Sequence, residues 1–205
     1  MPSTVGDAVG LVVAVLAGYL VGSLPLAWGI GRANGVDVER DGDGNPGSSN
    51  VWSLAGPRAG LLALTGDLAK GLGAAAAGWL VAGFGGAWLA SLAAIAGHAG
   101  PLFPGRAGGR SVATTAGACL GLAPVPGVGA LVLAGALAAA LGRRGRITAI
   151  GAGFTAYPIL HVAVVGDLVR TAAVLAVLTA GVVNYLATDR RRSAGALGGR
   201  GRSIP

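Results

Sequence analysis

The sequence predicts an all-α membrane protein built as a bundle of about seven transmembrane helices. Of its 205 residues, 53% are hydrophobic and only 11% are charged, whereas a soluble globular domain is roughly 25% charged. The few charges form short clusters between long apolar runs, and about 20 apolar residues are enough to cross a bilayer. The single cysteine, Cys119, excludes an intrachain disulfide scaffold.

The apolar runs and their breaks define the expected spans. The first run has no basic residue before it and exceeds the roughly 7 to 15 apolar residues of a signal peptide, which disfavours cleavage. Glycines near residue 85 divide one long run, and Pro124 and Pro126 divide another. The expected spans are 8–31, 57–80, 86–103, 111–124, 127–142, 147–166 and 168–188. Residues 1–188 are thus expected to form one transmembrane domain, followed by a basic tail at 189–205.

The basic residues predict the orientation, because Lys and Arg near the ends of spans favour the cytoplasmic side. An outside N-terminus and seven spans place 13 of the 15 basic residues inside, and only Lys70 and Arg170 elsewhere. The net charge of +7 is therefore mainly a topology signal. It does not indicate nucleic-acid binding, since the arginines form no stripe interleaved with aromatic residues. The C-terminus and the long loop at 36–56 are expected in the cytoplasm.

The loop at 36–56 is the only long polar connection, and it contains the glycine-rich segment GDGNPGSSN at 42–50. Its G-x-G-x-x-G pattern follows a membrane span and not a buried strand, which disfavours a dinucleotide fold. Its alternating acidic residues resemble a calcium loop, but Ser48 stands where that loop requires Glu. Two interpretations stay open at this point. The loop either binds a phosphate through backbone amides or is a flexible connector.

Three further segments accompany this loop in chain order: GSLP at 22–25, DLAKG at 67–71, and GHAGPLF at 97–103 leading into GGRSVAT at 108–114. Together the four motifs resemble the bacterial acyl-phosphate:glycerol-3-phosphate acyltransferase family. The resemblance covers roughly residues 22–117, with a weaker echo later. It implies a protein of the bacterial inner (plasma) membrane with seven spans. The motif loops would face the cytoplasm. This expectation agrees with the topology derived from charge.

The resemblance implies transfer of an acyl chain from acyl phosphate to the 1-hydroxyl of glycerol 3-phosphate, with lysophosphatidic acid and phosphate as products. Such an enzyme binds both substrates and membrane lipid, and needs no metal or other cofactor. The residues implied to be catalytic are Asn50, His98 and Arg110. Those implied to bind substrate are Gly44, Asn45, Gly47, Ser48, Ser49, Asp67, Lys70, Gly108, Gly109, Thr114, Thr148 and Asn184.

Several positions depart from the family pattern. Asp43 replaces a serine of the glycine-rich motif, Ser53 replaces an arginine, and Ala149 replaces one hydroxyl of a serine pair. In the later glycine segment, Arg110 and Ser111 replace a lysine and a glycine, and Arg106 replaces an aromatic residue. Arg106 or Arg58 could supply the charge lost at Ser53. These departures keep open an alternative, a catalytically impaired relative that binds an anionic lipid precursor or a partner.

Some candidates also have structural interpretations. His98 suits acid–base or phosphate chemistry but could equally be an interfacial histidine with a hydrogen-bond partner. Asp67 and Lys70 are three residues apart and share a helix face, so they form either part of the site or a structural ion pair. His161 matches no motif, and we expect it to serve helix packing. Gly71 and other small residues near it are expected at helix contacts.

Overall fold

A computed structural model describes residues 5–103 and 105–199, without the side chains of residues 143, 144, 146, 147 and 191–199. Within these residues the chain is all-helical, as predicted. The helices are α1 (Val5–Ser23), α2 (Leu26–Ala33), α3 (Ser48–Ala99), α4 (Val112–Leu122), α5 (Pro124–Leu141), α6 (Arg146–Val165) and α7 (Leu168–Gly199), with a short 3₁₀ turn at Gly142–Gly145 between α5 and α6. Five stretches among the described residues are long and apolar enough to cross a membrane.

The first expected span, 8–31, is divided into two helices. α1 ends at Ser23 and α2 begins at Leu26, because Pro25 has no backbone N–H and restricts the conformation of Leu24 before it. This break leaves the Leu24 carbonyl oxygen outside the α1 hydrogen-bond ladder, where it accepts a hydrogen bond from the distant Lys70 side chain.

The helix α3 covers the second expected span, 57–80, and most of the third, 86–103. Its backbone leaves helical geometry at Gly56, ahead of Pro57, and again at Ala82 and Gly83. The helical segments between these breaks therefore run over 57–81 and 84–99, and the second ends four residues earlier than expected. The first turns of α3, from Ser48, lie within the expected loop 36–56, so the end of that loop is helical where the sequence predicts none.

The other helices begin and end close to the bounds of the expected spans, except for α4. This helix covers 11 residues, or about 16 Å at 1.5 Å per residue, which is too short to cross a bilayer alone. The expected spans 127–142, 147–166 and 168–188 correspond to α5, α6 and α7, although α7 continues helically to Gly199. Most side chains of the expected tail, 189–205, lie outside the described residues.

Small residues let the helices approach closely around α3. A β-carbon on Gly18 or Gly22 of α1 would collide with the α3 backbone at Ala90 or Ala94. A β-carbon on Gly71 would similarly collide with the backbone of α4. The expected role of Gly71 in helix packing agrees with this contact. Close approach of backbones without bulky side chains is typical of helix packing in membranes.

Candidate functional site

The candidate site is a cavity between the α1–α2 break, the middle of α3 and the loop that precedes α4. The space between these elements is about 320 Å³ when the open solvent at its mouth is counted, and the part closed off by protein is far smaller. Its polar lining comes from segments far apart in the chain and comprises Ser23, Glu39, Asp67, Lys70, His98 and Arg106. The GSLP, DLAKG and GHAGPLF motifs therefore meet in one place.

Lys70 lies at the centre of the polar groups, with a buried side chain. Its Nζ atom is 2.9 Å from Asp67 Oδ1, 2.9 Å from His98 Nδ1 and 3.0 Å from the Leu24 carbonyl oxygen. Two of these contacts, to His98 Nδ1 and the Leu24 carbonyl oxygen, are hydrogen bonds, whereas the contact with Asp67 Oδ1 is an ion pair, so one of the three N–H bonds of the ammonium group is left for a ligand. Lys70 thus joins the α1–α2 break to both halves of α3. The i, i+3 spacing indicated the contact with Asp67, whereas the GSLP motif contains Leu24 but did not indicate that its carbonyl oxygen would contact Lys70.

The contact with Lys70 determines which ring nitrogen of His98 carries the proton. Because an ammonium group can only donate, Nδ1 of a neutral His98 accepts, and its proton is then on Nε2. The Thr114 hydroxyl lies 3.2 Å from the same Nδ1 atom. The Nε2 edge of the ring lies against Gly109, where a β-carbon would collide with it. In this arrangement His98 can donate a hydrogen bond from Nε2, but it cannot accept one there.

The glycine pair before α4 allows the loop to approach His98 closely. A β-carbon on Gly108 would collide with the Ala99 carbonyl oxygen. The Gly109 N–H donates to the His98 carbonyl oxygen at 3.0 Å, and the Gly109 carbonyl accepts from Asn184 Nδ2 at 2.9 Å. Both backbone groups of Gly109 are therefore engaged within the protein. Glycine is therefore needed at these positions because a side chain would not fit, and the Gly109 amide is not left to donate to a ligand.

Asn184 of α7 holds the start of α4 through Ser111. Its Nδ2 atom donates to Ser111 Oγ at 2.8 Å, and Ser111 Oγ donates to the Ile95 carbonyl oxygen at 3.3 Å. Ser111 has φ +59° and is the only non-glycine residue with positive φ among the described residues. The glycine expected from the family pattern suits this left-handed backbone better. The side-chain hydrogen bonds compensate for the less favourable residue.

The side chain of Asn50 is used inside the glycine-rich loop. Its Nδ2 atom donates to the Val38 and Asp41 carbonyl oxygens, each at 3.0 Å, and its Oδ1 atom accepts from the Asp43 N–H at 3.2 Å. It is buried, and Gly42 approaches its Oδ1 so closely that a β-carbon would collide. Asn50 is thus placed to shape the loop, whereas the resemblance implies a catalytic role.

The amides of the loop glycines are also engaged internally. The N–H groups of Gly44, Asn45 and Gly47 donate to Asp41 O, Asp43 Oδ1 and Asn45 O at 3.1, 3.0 and 2.8 Å. The amides left for a ligand are those at the start of α3, on Ser48 and Ser49, because the first N–H groups of a helix lack partners within it. A helix N-terminus favours anions, and Pro46, two residues earlier, lines the cavity.

Arg110 is held between two carboxylates. Its terminal nitrogens lie 2.7 Å from Asp43 Oδ2 and 2.7 Å from Asp189 Oδ1, and its guanidinium lies 5.6 Å from the centre of the Tyr185 ring. Burial lowers the pKa of Arg110, but the hydrogen bonds and charges of Asp43 and Asp189 outweigh it, so the pKa is raised overall. Asp43, the residue that departs from the motif serine, therefore pairs with the arginine that replaces the motif lysine.

Arg106 belongs to a second cluster, at the cavity itself. Its guanidinium carbon lies 4.2 Å from the centre of the Trp28 ring, and its NH1 atom lies 3.1 Å from Glu39 Oε2. The other oxygen of Glu39 accepts a hydrogen bond from the Ala107 N–H at 2.7 Å. Trp28 and Glu39 were not among the candidates from sequence. The alternating acidic residues near Glu39 are its signal in the sequence, but that pattern resembles a calcium loop and does not indicate an arginine partner.

The structure does not bring every candidate to the cavity. Thr148 is exposed on α6 and does not line it. Ser53, where the family pattern has an arginine, donates a hydrogen bond to the Ser49 carbonyl oxygen at 3.0 Å. Arg58 is exposed on α3, away from the lining. His161 packs between α6 and α7, with its Nδ1 atom 2.8 Å from Thr171 Oγ1, in agreement with its expected packing role.

These features define a class: a multi-pass membrane protein whose helix breaks surround a small polar cavity, lined by two cations, Lys70 and Arg106, each paired with a carboxylate. Comparison with known proteins identifies the family. Residues 12–193 match the model of the glycerol-3-phosphate acyltransferase family, and the chain belongs to that family. The family resemblance recognised in the motifs is thereby confirmed.

Individual relatives agree with this assignment. The chain is 42% identical over 129 residues to glycerol-3-phosphate acyltransferase of Rubrobacter xylanophilus, covering 60% of this chain and 62% of that relative. It is 42% identical over 120 residues to the enzyme of the same name from Geobacter sulfurreducens, covering 56% and 60%. The matches thus span about three fifths of the length of these relatives.

Two solved structures share the fold. Both are of PlsY, an integral membrane glycerol 3-phosphate acyltransferase. The glycerol 3-phosphate form superposes with a TM-score of 0.75 at 24% identity and covers 93% of each chain. The lysophosphatidic acid form superposes with a TM-score of 0.74 at 25% identity and covers 90% of this chain and 92% of that one.

Proposed function

We propose that the protein transfers a fatty acyl group from acyl phosphate to the 1-hydroxyl of glycerol 3-phosphate, giving lysophosphatidic acid and phosphate. Membership of the family supports the acceptor and the product. The observation that carries the proposal is the cavity in which Lys70, His98 and Arg106 face one small volume. Lys70 and Arg106 are the groups in this cavity that can hold a phosphate, each beside the carboxylate that positions it, and the apolar helices around them suit an acyl chain.

The chemistry requires positioning more than a nucleophile from the protein. An acyl phosphate is a mixed anhydride with a good leaving group, so the acceptor oxygen can attack the carbonyl carbon directly. The new bond joins that oxygen to the acyl carbon, the bond from the acyl carbon to the phosphate oxygen breaks, and the hydroxyl proton ends on the released phosphate. The protein must align the two substrates and stabilise the developing oxyanion.

Three groups of residues divide these tasks in the proposal. Lys70 and His98 contact the reacting groups, with the Nε2–H of His98 as a hydrogen-bond donor to developing negative charge. The first amides of α3, on Ser48 and Ser49, contribute to anion binding. Positioning residues keep the loops in place around the cavity, and these comprise Asn45, Gly47, Asn50, Asp67, Gly109, Thr114 and Asn184.

We also propose the topology derived from charge: seven crossings, an outside N-terminus and a cytoplasmic C-terminus in a bacterial inner membrane. The backbone breaks at Gly56 and at Ala82–Gly83 support two crossings within α3. The short α4 would complete its crossing together with the loops at its ends. This orientation puts the cavity mouth on the cytoplasmic side, where glycerol 3-phosphate is available.

The impaired-relative alternative loses part of its motivation. It depended on Asp43 as a negative charge facing a bound phosphate, but Asp43 pairs with Arg110 and does not line the cavity. Ser53 remains a true loss of positive charge at its position. The same assay decides between the alternatives, because an impaired relative would form no product.

The test is acyl transfer by membranes that contain the protein, supplied with acyl phosphate and labelled glycerol 3-phosphate. We expect labelled lysophosphatidic acid well above that formed by empty membranes, and no comparable product when acyl-CoA replaces acyl phosphate. A preference for acyl-CoA would contradict the proposed donor. Absence of product with either donor, from protein that is folded and inserted, would contradict the proposed function.

A further inference from the structure

The family motif has an arginine at a position where this chain has none, and three other arginines of the chain are candidates to replace it. Ser53 stands where the motif has an arginine. Arg58 is exposed on α3 and does not line the cavity. Arg106 and Arg110 both lie in the loop before α4, but only Arg106 lines the cavity with Lys70 and His98.

Arg110 is poorly placed to bind a substrate phosphate. Each of its terminal nitrogens lies 2.7 Å from a carboxylate oxygen, one on Asp43 and one on Asp189. A phosphate that approached these nitrogens would have to displace a carboxylate from a charge-assisted hydrogen bond. Such bonds are about twice as strong as neutral ones. Arg110 therefore joins the glycine-rich loop to α7.

Arg106 is oriented and still has donors to offer. The guanidinium carbon lies 4.2 Å from the centre of the Trp28 ring, and NH1 lies 3.1 Å from one oxygen of Glu39, so two contacts from different segments hold the group. Among the described residues, Glu39 is the only hydrogen-bond partner of the five Arg106 N–H groups. A planar guanidinium held in this way can bind phosphate oxygens through two parallel hydrogen bonds.

We propose that Arg106 is the phosphate-binding arginine of this chain, and that it contacts the phosphate of glycerol 3-phosphate in the Lys70–His98 cavity. This inference rests on the proposed function for the identity of the acceptor. Trp28 and Glu39 are positioning residues that hold the guanidinium. The arginine lost at position 53 is thus replaced from another loop, at a position where the family pattern has an aromatic residue.

The experiment compares Arg106→Gln, Arg106→Lys and Arg58→Gln in the full chain, purified in detergent. The steady-state KM for glycerol 3-phosphate is measured at saturating acyl phosphate. The KM for acyl phosphate is measured at saturating glycerol 3-phosphate. Loss of a charge-assisted hydrogen-bonding group should raise the KM for glycerol 3-phosphate roughly 10- to 100-fold in Arg106→Gln, with the KM for acyl phosphate changed less than about twofold. Arg106→Lys should lie between, and the matched control Arg58→Gln should equal the parent.

A further variant and a binding measurement keep the outcome decisive. Trp28→Leu keeps the charge but removes the stacking surface, so it should raise the KM for glycerol 3-phosphate by a smaller factor. Binding of labelled glycerol 3-phosphate is measured on the same samples, after thermal unfolding has shown that each variant is folded. The parent should bind, and Arg106→Gln should bind at least roughly 10-fold more weakly.

The outcomes separate the inference from the proposed function. If the parent binds glycerol 3-phosphate but transfers no acyl group, the proposed reaction fails, and weaker binding by Arg106→Gln still supports the inference. An unchanged KM and unchanged binding in Arg106→Gln would overturn the inference even in an active enzyme. Equal changes in both KM values and in kcat would also overturn it, since they would indicate a general loop defect. No binding by the parent would overturn both.

Discussion

Removing one partner of the Asp67–Lys70 pair should destabilise the protein strongly. The two residues are 2% and 4% exposed, and Lys70 Nζ lies 2.9 Å from Asp67 Oδ1. A buried charge left without its partner costs about 3–5 kcal/mol. We therefore expect Asp67→Asn and Lys70→Met each to lower the free energy of unfolding by about 3–5 kcal/mol.

The double variant should be less unstable than the sum of the single ones. It leaves no uncompensated charge, and its remaining cost is the loss of hydrogen bonds to His98 Nδ1 and the Leu24 carbonyl oxygen. Both acceptors keep a second donor, the Thr114 hydroxyl for His98 Nδ1 and the Leu26 N–H for the Leu24 carbonyl oxygen, so each lost hydrogen bond costs only about 0.5–1.5 kcal/mol. The coupling between the two substitutions should thus be at least about 2 kcal/mol.

The assay is equilibrium unfolding of the parent, the two single variants and the double variant in the same detergent. Strictly additive effects, or a loss below about 1 kcal/mol in either single variant, would refute the argument. Such a result would mean that water reaches the pair and compensates the remaining charge. The double-variant cycle separates this pair from the other neighbours of Lys70.

Three further predictions concern packing, backbone strain and the Arg110 pair. Gly71→Ala should destabilise the protein by about 1–3 kcal/mol, because its β-carbon collides with the α4 backbone, whereas Gly73→Ala, which meets open space, should not; equal melting temperatures would contradict this. Ser111→Gly should be more stable than Ser111→Ala by about 1–2 kcal/mol, because position 111 has φ +59°, and the reverse order in thermal unfolding would contradict it. Asp43→Ser should lower the free energy of unfolding by about 0.2–1 kcal/mol, and this loss should shrink in high salt. It should stay constant as pH rises toward 10, because the raised pKa keeps Arg110 charged. A loss that does not depend on salt would contradict the ion pair.

The helical class and the membrane setting could be predicted because they depend on composition over long windows. A run of about 20 apolar residues is conspicuous in any sequence. The breaks were harder to predict, since they depend on local backbone conformation. Pro25 ends α1 inside an uncharged run that otherwise looks like one span, and the chain departs from helical geometry at Gly83.

The grouping of the motifs could be predicted from the family resemblance, but the use of each residue could not. Asn50 and Gly109 were expected to contact substrate, yet their polar groups bond within the protein. Which hydrogen-bonding groups remain available depends on partners far along the chain. Asp43 illustrates this point, because its charge appears unfavourable in the motif until its partner, Arg110, is known.

The account depends most on the claim that acyl transfer takes place in the Lys70–His98 cavity. Gly109 tests it directly, because a side chain there would collide with the His98 imidazole, while Gly151 on α6 has open space around its β-carbon position. Lysophosphatidic acid formation from acyl phosphate and glycerol 3-phosphate is therefore compared for the parent, Gly109→Val and Gly151→Val. The parent and Gly151→Val should form product at similar rates, and Gly109→Val should be slower by roughly 100-fold. A folded Gly109→Val variant as active as the parent would place the reaction elsewhere and contradict the account.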